Sequence, residues 1–265
     1  MVQLLGAGHG PTALVDSHAH LDAYPETELR RLMARAARVG VGVILAPGAD
    51  LASSRLCVSL ARGSPQRQHG GPPQVLAAVG VHPIYLSGPL DEDAITTMRS
   101  LLREPGVVAV GEVGLDSTGP NPSLQMEALR AMLRLAREAD LPVVLHSEGP
   151  VEGMLSLVGQ AGVAPRGAVV HYFTGDAAAA RRYIESGLYV SLGRTLVRRP
   201  RLQKVARELP LERLLLETDT YPMPRRATEP AHVHRVAEKL AEIKGLTLEQ
   251  VAQHTTDNFN RLFMR

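Results

Sequence analysis

The chain has 265 residues, 45% of them hydrophobic and 21% charged, and a net charge of only +2 at pH 7. That composition is of an ordinary folded protein able to bury a large core, and it excludes a collagen-like, low-complexity or uniformly polycationic chain. Cys57 is the single cysteine, so no internal disulfide can form, and no apolar run has the length of a membrane helix or the flanks of a signal peptide.

Short β-branched apolar runs alternate with longer amphipathic ones along the whole chain. "ALVDSH" (13–18) is the first strand candidate, followed by the helix candidate "PETELRRLMARAARVG", which ends at Gly40. "VGVILAP" (41–47) comes next, then the stretch holding Cys57, a small residue suited to the buried face of a helix. A Gly/Pro/Gln loop (62–74) leads into "VLAAVGVHP" (75–83), and "VVAVGEVGLD" (107–116) follows. Asn121-Pro122-Ser123 caps the helix candidate "SLQMEALRAMLRLAREAD", which gives way at Asp140-Leu141-Pro142 to "LPVVLHS" (141–147). "AVVHYFTG" (168–175), "LYVSLG" (188–193, after Gly187) and "RLLLETD" (213–219) complete the strands, and the tail from Pro230 reads as two further helices.

Strands this continuously apolar are buried on both faces, as in parallel sheets. Eight strand–helix units in one chain of this length predict an α/β protein, a (β/α)8 TIM barrel with extra C-terminal helices, in a single domain over residues 1–265. A doubly wound open sheet would alternate in the same way.

Polar residues collect at the ends of these strands: His18 and His20, His82, Glu112 and Asp116, His146, His171, and Glu217 with Asp219. In a parallel barrel all carboxyl ends share one rim, where active sites are built. Singly, His82, His146 and His171 have the bland reading of hydrogen-bonded core histidines. Jointly, four histidines and two carboxylates on one rim are enough for two metals sharing a carboxylate, and nitrogen and oxygen donors without thiolate suit zinc, manganese or magnesium. Acids such as Glu112 and Asp219 would be costly to bury unpaired at the end of an apolar strand. The chain has only three lysines, Lys204, Lys239 and Lys244, and none ends a predicted strand, so a modified lysine cannot be the bridge and Glu112 is the candidate.

Charge is uneven. Arg194, Arg198, Arg199, Arg201, Lys204 and Arg207 fall within residues 193–207 with no acid among them, and Arg225 and Arg226 form a second cluster. Either a polyanionic substrate or a solvated helix face accounts for this charge by itself.

With "DSHAHLD" (16–22), "GVHP" (80–83), "GEVGLD" (111–116), "LHS" (145–147), "HYFTG" (171–175) and "LLLETD" (214–219) in order, the chain resembles the TatD family of metal-dependent deoxyribonucleases, in the amidohydrolase superfamily. The resemblance runs to the C-terminal "TTDNFNRLF". It implies His18, His20, Glu112 and Asp219 as ligands of one divalent metal, with Glu112 bridging to a second held by His146 and His171. It also implies His82 as a substrate or phosphate contact and Glu217 as a residue that orients a ligand. The implied reaction is phosphodiester hydrolysis by a metal-activated water, with Asp219 taking its proton. Arg194 and Arg226, on loops after strands seven and eight, would meet the nucleic-acid backbone, with Tyr172 and Tyr221 the best placed aromatics. The expected substrate is DNA, single-stranded or frayed, bound without sequence preference, because a rim pocket is too narrow for a duplex.

The chain departs from the family pattern where substrate is contacted: Glu148 follows "HS" where an arginine is usual, "STGPNP" follows "GLD", and the segment after "ETD" is short. Two other functions therefore accompany the nuclease reading. One is a small-molecule amidohydrolase or phosphoesterase on the same metals, the other a non-catalytic binding protein that keeps the barrel. A cytoplasmic monomer with no membrane contact is the expected state.

Overall fold

A computed structural model describes residues 13–66, 71–162, 167–223 and 228–264. Its eight strands are β1 (Leu14–Asp16), β2 (Val41–Pro47), β3 (Gln74–Val79), β4 (Val107–Asp116), β5 (Val143–Glu148), β6 (Ala168–Val170), β7 (Tyr189–Leu192) and β8 (Leu214–Leu216). They pair in parallel, each with the next. Between them run α1 (Glu26–Arg38), α2 (Leu51–Gly63), α3 (Glu92–Leu101), α4 (Pro122–Ala139), α5 (Val151–Ala161), α6 (Ala177–Glu185) and α7 (Pro200–Glu208). The barrel closes where β8 meets β1: Ser17 N donates to Leu216 O (2.9 Å), Asp219 N to His18 O (2.9 Å) and His20 N to Thr220 O (2.8 Å). The open-sheet alternative is thereby excluded.

The two tail helices have different jobs. α8 (Val233–Lys244) packs beside α7, β1 and β8 and completes the eighth strand–helix unit. α9 (Leu248–Phe263) is the extra element, capped by Thr247 and Gln250 in a reciprocal pair. Thr256 Oγ1 donates to Ala13 O and Asn258 Nδ2 to Leu211 O and Leu214 O, which ties α9 to the amino ends of β1 and β8.

Successive strand residues face opposite ways. Ile44 and Ala46 point out under the helices, while Val43 and Leu45 point inward. Each of the eight strands supplies such an inward residue, from Val15 in β1 to Leu215 in β8, and Phe259, Leu262 and Phe263 of α9, with Met264 just after it, close this inner core from below. Phe259 is fully buried there. Phe259→Ala is expected to cost about 3–5 kcal/mol of stability in urea unfolding while leaving metal content unchanged, since it hollows the end opposite the rim.

Several strands end short of expectation. β1, β3, β6 and β8 leave the ladder earlier than their apolar runs suggest, and beyond β6 and β8 the chain turns through Tyr172 (φ 42°) and Asp219 (φ 49°), left-handed conformations that no strand accommodates. Of the loop 62–74, Arg62 and Gly63 finish α2, and residues 67–70 lie outside the described residues. Cys57 is buried on α2 as its setting suggests, and burial pushes its thiol well up. Among the described residues no helix is long and apolar enough to cross a membrane.

Candidate metal centre

Glu112 stands at the middle of the rim, with 1% of its surface exposed. Its Oε2 faces His18 Nε2 at 3.2 Å and His20 Nε2 at 3.6 Å. Its Oε1 faces His171 Nε2 at 2.7 Å, His146 Nδ1 at 2.8 Å and His82 Nε2 at 3.2 Å. Asp219 joins the first group, with Oδ1 3.5 Å from His20 Nε2 and 3.9 Å from His18 Nε2.

These groups fit a cation better than they fit each other. His18 and His20 point their Nε2 atoms at one another across 3.3 Å, and His146 Nδ1 and His171 Nε2 do so across 3.1 Å. Facing nitrogens can share only one proton, whereas about 3.3 Å is the donor–donor edge of a tetrahedron with bonds of ~2.0–2.1 Å. Three sets of donors converge closely enough to hold an ion: His18, His20 and Glu112; His18, His171 and Glu217; His82, Glu112 and His146.

Burial alone would raise the Glu112 carboxyl, but the His171 and His18 imidazoles and hydrogen bonds from His146 and His171 hold it well below the usual carboxylate range. Burial likewise opposes charge on His171, and the Glu112 carboxylate outweighs it and keeps that imidazole protonated well above its ordinary value. Asp219 is pulled down to about 2, its burial outweighed by the His20 hydrogen bond and the surrounding imidazoles. Two ionised carboxylates thus face the imidazoles, a mixed nitrogen and oxygen donor set that suits a divalent ion.

The outer ring nitrogens separate possible ligands from other roles. A ligating histidine usually gives its second N–H to a carboxylate or carbonyl. His146 Nε2 lies 3.1 Å from Asp116 Oδ2, and His171 Nδ1 lies 3.6 Å from Glu217 Oε1, the oxygen that also accepts from Tyr172 N. His146 fits that pattern, while His171 Nδ1 faces Glu217 beyond hydrogen-bond length and makes no hydrogen bond among the described residues. His82 does the reverse: its Nδ1 accepts from Ile84 N at 3.2 Å, which places the ring proton on Nε2, aimed at Glu112 and His146. As a proton donor, His82 suits an oxygen acceptor better than a cation.

Of the residues singled out in the sequence, His18, His20, His82, Glu112, His146, His171, Glu217 and Asp219 are brought together. Tyr172 borders them, its ring seated on Gly193, where a Cβ would come within 2.4 Å of it. Arg194 Nε donates to Thr218 O at 2.6 Å and so steadies the turn that carries Asp219. Arg225 and Arg226 lie outside the described residues.

Two supporting acids were not assigned these partners from sequence. Glu112 and Asp116 are an even number of residues apart, so the strand period sends both to one face, and Gly114 between them lies so close to β5 that a Cβ would meet His146 O at 1.9 Å. Asp16 is fully buried and accepts from Thr218 N (2.9 Å) and Thr218 Oγ1 (2.6 Å) across the closure of the barrel. Burial raises its carboxyl to about 8, with the Thr218 hydrogen bonds pulling the other way. Beside the cluster opens a cavity of about 550 Å³ between the ends of β5 and β6, lined by His146, Glu148, His171, Phe173, Tyr183 and Asp219 among others.

The family model described as TatD related DNase matches residues 15–264. The chain belongs to the TatD family. It is 35% identical over 264 residues to the metal-dependent hydrolase YcfH of Escherichia coli K12, covering 94% of this chain and 95% of that one. It is 28% identical to the human deoxyribonuclease TATDN3, covering 94% of each. The crystal structure of YjjV, a TatD homologue from E. coli K12, superposes with a TM-score of 0.83 at 30% identity, over 94% of this chain and 97% of that one. TatD relatives are metal-dependent hydrolases, and the donor sets on this rim match that chemistry.

Proposed function

We propose that this TatD protein is a metal-dependent deoxyribonuclease that removes nucleotides from single-stranded or frayed DNA ends. The observation that carries this reading is Glu112, which turns one oxygen to each of two donor groups with Asp219 beside them. In this reading two divalent ions, magnesium, manganese or zinc, are held by His18, His20, Glu112 and Asp219 on one side and by Glu112, His146 and His171 on the other. Bound there, they would polarise the phosphodiester and make a water nucleophilic near neutral pH. Asp219, ionised and only partly buried, receives the proton of the attacking water. His82 gives its Nε2 proton as a hydrogen bond to a phosphate oxygen, and Glu217 fixes the ring of His171. Arg198 and Arg199, exposed after β7, together with Arg226, supply sequence-independent contacts to the backbone, while Arg194, with its Nε on Thr218 O, serves the site by steadying the Asp219 turn. The named activity of TATDN3 supports DNA as the substrate.

Asp116 acts in this scheme only by holding His146. Asp116→Asn is expected to weaken metal affinity about 10–100-fold without unfolding the chain, read by competition with a chromogenic chelator.

The deciding experiment incubates metal-stripped protein with end-labelled single-stranded DNA and adds back manganese, magnesium or zinc. Metal-dependent shortening from one end supports the reading. Tight metal binding with intact DNA refutes the nuclease and leaves the small-phosphoester reading, which the acidic Glu148 in the cavity wall favours.

A further inference from the structure

Large apolar side chains left in water mark surfaces that something covers. Among the described residues four are conspicuous: Leu56 (53% exposed), Ile84 (44%), Tyr85 (59%) and Tyr221 (41%). Leu56 lies on α2, while the other three follow the carboxyl ends of β3 and β8, on the rim that carries the metal centre.

Ile84 and Tyr85 are neighbours in a single turn of 3-10 helix, Pro83–Tyr85, and this turn is built to hold them still. Pro83 fixes its first residue, Ile84 N donates to His82 Nδ1, Tyr85 N donates to His82 O at 3.1 Å, and Leu86 is buried directly behind. The Tyr85 ring meets the His82 ring edge to face at 5.8 Å between centroids, and the far side of that imidazole is 3.2 Å from Glu112. A rigid, exposed aromatic thus stands one side chain away from the reacting centre.

We infer that Ile84 and Tyr85 form a stacking shelf for the nucleobase next to the scissile phosphate, with His82 coupling the shelf to the phosphate itself. This rests on the nuclease reading above. An aromatic ring accepts any base on its face, so the shelf would add affinity without sequence preference. It also explains how a protein with no tryptophan and three phenylalanines could hold a single strand: one well-placed ring suffices at the point of cleavage.

The test uses the full-length metal-loaded protein and two single-stranded oligonucleotides, one ordinary and one with abasic residues at its cleaved end. Tyr85→Ala is expected to raise KM on the ordinary strand roughly five- to hundredfold, the range for loss of one stacked base, with kcat changed little. Tyr85→Phe, which keeps the ring, restores KM, and on the abasic strand all three proteins have the same KM. A 2-aminopurine at the penultimate position is quenched on binding to wild type and Tyr85→Phe but not to Tyr85→Ala. Equal KM for wild type and Tyr85→Ala on the ordinary strand overturns the shelf. So does an equal loss in Tyr85→Phe, or a wild-type dimer that Tyr85→Ala dissolves. Failure of the wild-type protein to cut either strand overturns the nuclease reading itself, a separate outcome from these.

Discussion

An E112A protein is expected to lose nearly all bound metal and about a thousandfold or more in activity. Glu112 faces both donor groups, three imidazoles through Oε1 and two through Oε2. Removing it leaves five imidazoles around a vacated centre, with Asp219 as the remaining acid at His18 and His20. The charge stabilisation that a metal supplies in a transition state is worth several kcal/mol, and about 1.4 kcal/mol is a factor of ten. Breaking a buried charge pair also costs about 3–5 kcal/mol of stability, so circular dichroism must accompany the assay. Glu112→Gln separates the two effects, because it keeps the volume while removing the charge. Elemental analysis showing a full metal complement in E112A or E112Q would overturn the bridging role.

Asp219→Asn is expected to lower kcat about 10²–10⁴-fold, the usual range for a removed general base, while the protein still folds and still binds metal at the His146–His171 group. Asparagine is the right replacement for a physical reason. Position 219 sits at φ 49°, a conformation that aspartate and asparagine tolerate and alanine does not, so Asp219→Ala would mix strain with chemistry. The backbone bond from residue 219 to His18 O survives either change and keeps the turn closed. Single-turnover rates with saturating metal read the chemical step directly. An unchanged rate would move proton transfer to another group on the rim.

Much of this molecule was legible in its sequence. The boundaries of β2 and β4 coincide with their apolar runs, as expected of strands covered on each face. The strand-end histidines and acids were legible for the same reason, since a parallel barrel brings every such end to one rim. What depends on register between strands was not. Asp116 reaches His146 only because Gly114 lets β4 and β5 lie close, and Asp16 reaches Thr218 only across the final closure. Nor can periodicity tell which tail helix is structural repeat and which is plug. The basic stretch after β7 is likewise more divided than its composition suggests, for Arg194 is spent on Thr218 O and Arg201 lies within 4.0 Å of Asp176.

The helix α9 that fills the lower mouth of the barrel has a consequence for how a polymer is handled. Among the described residues, Phe259, Leu262 and Phe263 pack into that end and leave no tunnel through which a strand could be drawn. A DNA strand cut at this rim, as proposed above, would approach and depart over the same face. On the nuclease reading proposed above, the enzyme is expected to let go after each turnover, so in a mixture of labelled strands it should shorten all of them gradually rather than consume a few to completion.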